Sequence, residues 1–375
     1  MTLYRALLKR CLLQLLFDGT LCARTKPRLR SRIMFSARLL CLLFVSLATG
    51  YAQNPSPDPR MAQADALLSA GKPQNALALL NELAAAAPTT PHIEGKIGKA
   101  YFQSNQFQKA IPHLRLALER DDSEAESIQL LALCYFAVAE YAQALPLLEK
   151  LAPKLPANNA DGPYLLASCY VMNNRWDDAR KTYATLFSVP PDSAMAYLMF
   201  AKFLVRQRLE DRAVPEIQAA LQRDPQVAMA HFLLGEIDLA KGDLGAAVDE
   251  LNKELAINPA VWLVYWRLGD AYVHLEKYDD AEKVLKKAMW LNDASSGPYI
   301  LLGQVALKQS DPALAAEYLE RANRLDPQND YTHYFLAKAY QGLGRTAEAT
   351  QHFTIAKQLR NNKRADERVG AQPAQ

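Results

Sequence analysis

Six histidines, His92, His113, His231, His274, His333 and His352, are the residues best suited to acid–base or metal chemistry, and they lie far apart in the chain. None has HxxxH or HExxH spacing, so no helix face collects two metal ligands. Gly71-Lys72 lacks both the preceding glycine and the following Ser or Thr of a phosphate-cradling loop. No nucleophile, base and oxyanion donor converge along the sequence, so the reading is a non-enzyme with no cofactor and no metal. Of five cysteines, Cys11, Cys22 and Cys41 lie near the start, leaving Cys134 and Cys169.

The elements around these residues follow one period. In Trp262 to Ser295, apolar residues recur at helical spacing in two runs, first Tyr265, Leu268, Gly269 and Tyr272, then Ala281, Leu285 and Ala288. Polar residues from Glu276 to Asp280 separate the runs, and Asn292-Asp293 closes the second. The unit is a helical hairpin of 34 residues. Its eighth position recurs as Ala64, Gly98, Ala132, Ala167, Ala201, Gly235, Gly303 and Ala337. Its twentieth recurs as Ala76, Ala110, Ala144, Ala179, Ala213, Ala247, Ala315 and Ala349. Small residues at both places let two helix backbones approach, and one hairpin needs like neighbours to bury its apolar faces.

This pattern resembles the tetratricopeptide repeat family, which sets a small residue at position 8, an aromatic at 11, Ala at 20 and Pro near 32. Tyr101, Tyr135, Tyr170, Tyr272 and Tyr340 stand at position 11; Pro88, Pro156, Pro191, Pro225, Pro259 and Pro327 stand at 32. Departures are Asp238 and Ala306 at 11, Glu254 at 27, and Asp122, Asp293 and Asn361 at 32, which weaken local packing. The resemblance implies an all-α chain, a right-handed α-solenoid of nine tandem hairpins over 57–363. Their bounds are 57–90, 91–124, 125–158, 160–193, 194–227, 228–261, 262–295, 296–329 and 330–363. Asn159 is extra, in a loop where an insertion does least damage. Cys134 and Cys169 share position 10 of adjacent repeats, about 10 Å apart by helix packing, which is beyond the roughly 7 Å a disulfide spans.

In the family, positions 2, 5, 9, 12 and 13 of each first helix face a concave groove. The groove residues expected to bind a partner are Phe102, Phe136, Tyr164, Met172, Met195, Leu198, Lys202, Met229, Phe232, Glu236, Trp266, Asp270, Ile300, Tyr331 and Tyr334. Met and aromatic anchors suit an extended or helical peptide, with Trp266 the best single anchor. The competing reading is that these side chains pack on neighbouring first helices. Trp176, at a hairpin turn, is read as structural, whereas for Trp262 and Trp290, near repeat junctions, packing between repeats and binding explain the residue equally well. The family's carboxylate-clamping variant carries Asn at position 9, which no repeat has here.

The net charge is +3, yet residues 1–52 contain nine Lys or Arg and one Asp, so the leader carries +8 and the remainder −5. A mildly acidic body without a basic stripe argues against nucleic acid as partner. Residues 34–52 read as a secretory signal peptide, with Arg38, an apolar run from Leu39 to Leu47, and Gly50-Tyr51-Ala52 as a small-x-small cleavage site. Residues 1–33 form a basic, leucine-rich extension, consistent with translation starting at Met34. Residues 53–56 form a linker, and 364–375 a disordered tail. The expected location is exported, periplasmic or secreted, with membrane anchoring by 39–52 as the alternative if the leader is retained. The expected function is a non-catalytic scaffold or adaptor of the cell envelope that holds a peptide or protein; the alternative is an accessory subunit presenting substrate to a separate envelope enzyme.

Overall fold

A computed structural model describes residues 58–154 and 161–369. The leader, signal and start-site readings therefore lie outside the described residues, as does the loop holding Asn159. Eighteen α-helices, paired in nine hairpins, make up the described chain, with one short 3₁₀ turn at Ala152–Lys154. The pairs are α1 Pro59–Ser69 and α2 Pro73–Ala86, α3 Ile93–Gln103 and α4 Phe107–Arg120, and α5 Ala125–Ala137 and α6 Tyr141–Leu151. Next come α7 Asp161–Met172 and α8 Trp176–Thr185, α9 Ala194–Arg206 and α10 Glu210–Arg223, and α11 Ala230–Lys241 and α12 Leu244–Ile257. The last three are α13 Trp262–His274 and α14 Tyr278–Leu291, α15 Ser296–Lys308 and α16 Pro312–Leu325, and α17 Asp330–Gly342 and α18 Thr346–Val369.

One backbone device closes every hairpin. The fifteenth residue of each unit is left-handed: Gly71, Asn105, Ala139, Asn174, Arg208, Gly242, Glu276, Ser310 and Gly344. The N–H of the following residue then donates to the carbonyl at position 11, as from Lys277 to Tyr272 at 2.9 Å and from Asp243 to Asp238 at 2.9 Å. This six-residue closure is a Schellman cap, which satisfies a carbonyl left over at the helix end. Because the bond uses only main chain, Asp238 and Ala306 at position 11 close their turns like the tyrosines.

Within a hairpin the helices touch through positions 8 and 24. A Cβ built on Gly98 would lie 2.5 Å from Leu114 Cγ, so glycine is what admits the leucine there. The same pairing joins Gly235 to Leu251, Gly269 to Leu285 and Gly303 to Leu319. Between hairpins, each position-24 side chain meets the next first helix, as Leu285 meets Leu301, Leu302 and Val305, giving the solenoid its core.

First helices pack directly against one another from hairpin to hairpin, whereas second helices do not, so the first helices form the inner layer. The exceptions are the junctions on either side of the fourth hairpin, where α7 stands away from α5 and α9. Aromatic rings fill that wider space: Tyr164 meets Phe203 edge-on at 5.6 Å, and Tyr183 lies 4.8 Å from Phe203. At the other end, α18 runs on to Val369, well past the expected start of a disordered tail at Arg364. Residues 349–364 lack Gly and Pro, and their four Lys or Arg lie toward the helix C-terminus, where the dipole favours cations.

Candidate functional site on the inner face

The inner layer divides the expected groove residues into three groups. Met172, Met195 and Tyr331 are exposed, each to a little over 40%. Phe102, Phe136, Tyr164, Met229, Trp266 and Tyr334 are half-buried. Leu198, Phe232 and Ile300 are buried, at 6, 8 and 9% exposure, and correct the sequence reading: they hold adjacent first helices together and leave no face for a partner. Trp266, the expected anchor, also has packing contacts. Its ring stacks on Trp262 at 5.9 Å and lies against Gly297 of the next hairpin, where a Cβ would come within 2.6 Å of the indole. Met172 stands at the end of α7 and Met195 at the start of α9, on the two first helices that Tyr164 and Phe203 join.

Beside these residues runs a ladder of charges on three consecutive first helices. Lys202 on α9, Glu236 on α11 and Asp270 on α13 all occupy position 9. Arg267, only 7% exposed, joins the two carboxylates: its Nε lies 2.5 Å from Glu236 Oε1, and its Nη1 lies 3.9 Å from Asp270 Oδ2. His274 Nε2 lies 3.5 Å from Asp270 Oδ1. The guanidinium also sits 4.3 Å over the Trp266 ring, a cation–π contact. Burial raises the pKa of Glu236, with Arg267 opposing the shift, and burial likewise raises that of Asp270 against His274 and Arg267. Burial lowers the Lys202 pKa, with Arg206 adding to the effect. The arrangement is a run of partly buried charge on three consecutive first helices, able to orient polar groups of a ligand. Sequence reading missed Arg267, because position 6 is not a groove position; the alternation Lys, Glu, Asp at position 9 was the available signal that a shared counterion was needed.

Profiles described as tetratricopeptide repeat match residues 67–134, 164–226, 198–261, 264–293 and 306–367. The chain belongs to the tetratricopeptide repeat family. A further profile, described as anaphase-promoting complex, cyclosome, subunit 3, matches residues 103–186. No curated protein sequence matches the chain. Among solved structures, MamA from Desulfovibrio magneticus RS-1 is similar at 21% identity, covering 46% of this chain and 97% of that one, with a TM-score of 0.42. PilF of Pseudomonas aeruginosa is similar at 24% identity, covering 44% and 75%, with a TM-score of 0.41. YrrB, described as a TPR protein with an unusual peptide-binding site, is similar at 20% identity, covering 48% and 93%, with a TM-score of 0.40.

As a tetratricopeptide repeat protein, the chain is a protein-interaction scaffold, and its remaining chemistry-bearing residues have structural work in the repeats. Positions 4 and 23 of a hairpin pair His113 with Glu94 and His231 with Glu250, both at 2.7 Å, and His333 with His352 at 2.8 Å. Cys134 and Cys169 are buried free thiols whose pKa burial pushes up to about 12, which keeps them protonated and unreactive. No cluster of three or more His, Cys, Asp or Glu suited to a metal ion occurs among the described residues. None of the described helices is long and apolar enough to cross a membrane. Trp290, for which the sequence leaves packing and binding equally open, stands 73% exposed on α14, with Lys287 Nζ 4.1 Å from its ring.

Proposed function

We propose that this protein is a non-catalytic scaffold that holds a peptide segment of a protein partner along its inner face, and that it works in the cell envelope after export directed by residues 34–52. One observation carries the binding reading: Met172 on α7 and Met195 on α9 are exposed on consecutive first helices, the layer that also carries Lys202, Glu236, Arg267 and Asp270. Unbranched thioether side chains adapt to varied apolar surfaces, and the ladder supplies orientation and discrimination. The body outside the leader is net acidic, which favours a protein ligand over nucleic acid.

The test is affinity for the partner recovered by crosslinking from the cell envelope, compared between the wild-type chain and a Met172→Ala/Met195→Ala variant. Both side chains are exposed, so the fold is retained, and the account expects affinity to fall by about tenfold or more, as for truncated interface anchors. Unchanged affinity removes the inner-face reading. Mass spectrometry of the mature N-terminus tests export separately: a start at Gln53 supports it, and a retained leader with only cytoplasmic partners overturns it.

A further inference from the structure

At the ninth hairpin, α18 carries a second seat, which shares Tyr334 with the inner face and lies four hairpins beyond Met195. In six of the eight preceding hairpins position 24 is fully buried, at Leu80, Leu114, Ile217, Leu251, Leu285 and Leu319, and Leu148 is 7% exposed; Tyr183, in the wider-spaced fourth hairpin, is half-buried. The ninth hairpin has Phe353 at this position, and it is only half-buried. Phe353 meets Tyr334 edge-on at 5.9 Å, and Ala356 completes an apolar floor. Above it lies a cavity of about 320 Å³ rimmed by Lys357, Arg360 and Arg364.

Shape and charge together specify the occupant. The equivalent seat in the preceding hairpin is filled by a helix, since Leu319 clusters with Leu336 of α17. Here α18 extends the seat, at 24 residues where the second helices before it have 10 to 14. Between Glu348 and Asp366 the chain has four Lys or Arg and no Asp or Glu. Arg360 is engaged with Asp330 at 3.1 Å, while Lys357 and Arg364 are exposed and lie within 4.0 Å of no described carboxylate. We infer that this seat docks an acidic amphipathic helix of a partner protein, its apolar face on Tyr334 and Phe353 and its carboxylates against Lys357 and Arg364. A second copy of this chain is the poorer fit. The carboxylates that its first helix would bring, Asp58 and Asp65, are already paired with Arg60 and Lys96, and the exposed face of α1 offers Ala62, Gln63 and Ala66.

The test uses the full chain and two fluorescein-labelled 18-residue amphipathic peptides with the same leucine face, one flanked by Glu and the other by Lys, read by fluorescence anisotropy. The Glu peptide is expected to bind at least about tenfold more tightly than the Lys peptide, with a preference that shrinks as salt is raised. Lys357→Glu/Arg364→Glu, at two exposed positions, is expected to invert the preference. Phe353→Asp is expected to weaken the Glu peptide about tenfold, with circular dichroism confirming retained helix, and Met172→Ala/Met195→Ala to leave it unchanged. Equal binding of the two peptides, or a preference that survives the charge reversal, overturns the inference. So does self-association, seen by analytical ultracentrifugation, that Phe353→Asp abolishes, because the seat then belongs to a second copy.

Discussion

The buried carboxylate of Glu254 on α12 accepts the main-chain N–H of Met229 at 2.8 Å, closing the open end of α11 in the same hairpin. It also takes the Phe232 N–H at 3.4 Å and the Asn258 side-chain amide at 3.0 Å. Met229 is left-handed, with φ 72°, and caps nothing with its own side chain, so Glu254 does the work of an N-cap from across the hairpin. Glu254→Ala is therefore expected to lower stability by about 1–3 kcal/mol by stranding these donors. Glu254→Gln, which keeps an acceptor, loses less. Thermal denaturation of the two variants checks the order.

The left-handed fifteenth position makes a second prediction. Arg208 and Glu276 hold this conformation at a steric cost that glycine avoids. Arg208→Gly and Glu276→Gly are each expected to raise stability by about 0.5–1 kcal/mol, and Gly242→Ala to lower it by a similar amount. Urea denaturation midpoints decide the sign; a loss of stability in both glycine variants would refute the strain argument.

Acid should loosen the last hairpin first. Burial, reinforced by His333, lowers the His352 pKa below the ordinary value of about 6.5, while Glu348 and Glu320 oppose the shift and the Tyr340 ring lies 5.5 Å away. The folded state thus resists a proton that the unfolded chain accepts, so this stability is present above about pH 6.5 and is lost as pH falls through the lowered folded value. Amide exchange in α17 and α18 is expected to quicken between pH 7.5 and 5.5, after correction for intrinsic rates. His352→Glu, which recreates the His–Glu pairing of the second and sixth hairpins, is expected to remove that response.

The charge ladder is predicted to be asymmetric to mutation. Arg267→Met leaves Glu236 buried without its counterion and is expected to cost about 3–5 kcal/mol, whereas Arg267→Met with Glu236→Gln should recover a large part of that loss. Equal destabilisation by the single and double variants would mean that Arg267 matters for packing alone.

What could be read from the sequence was whatever repeats within one hairpin. Alanine at position 20 and the small residue at position 8 announce close helix contact, and both follow the 34-residue period. Contacts between hairpins were harder to read, because they depend on how far each first helix stands from the next. Phe232 and Trp266 share a register, yet one is buried and the other is half-buried against a glycine 31 residues on. Glu254 looked like a departure from the repeat pattern at position 27, and only the placement of the α11 N-terminus beside it reveals a cap. The exposure of position 24 was also hidden: Phe353 keeps the repeat register and yet is half-buried where most of its counterparts are fully buried.

The central claim, that the inner face holds a protein partner, is tested most directly by site-specific photo-crosslinking in the native cells. A photoreactive residue is placed at Met195 on the inner layer and, in a second variant, at Trp290 on α14, and the crosslinked peptides are identified by mass spectrometry. The account predicts one recurrent partner segment captured from position 195 and not from 290. Capture of that partner from position 290 alone would contradict it and move the binding surface to the second helices.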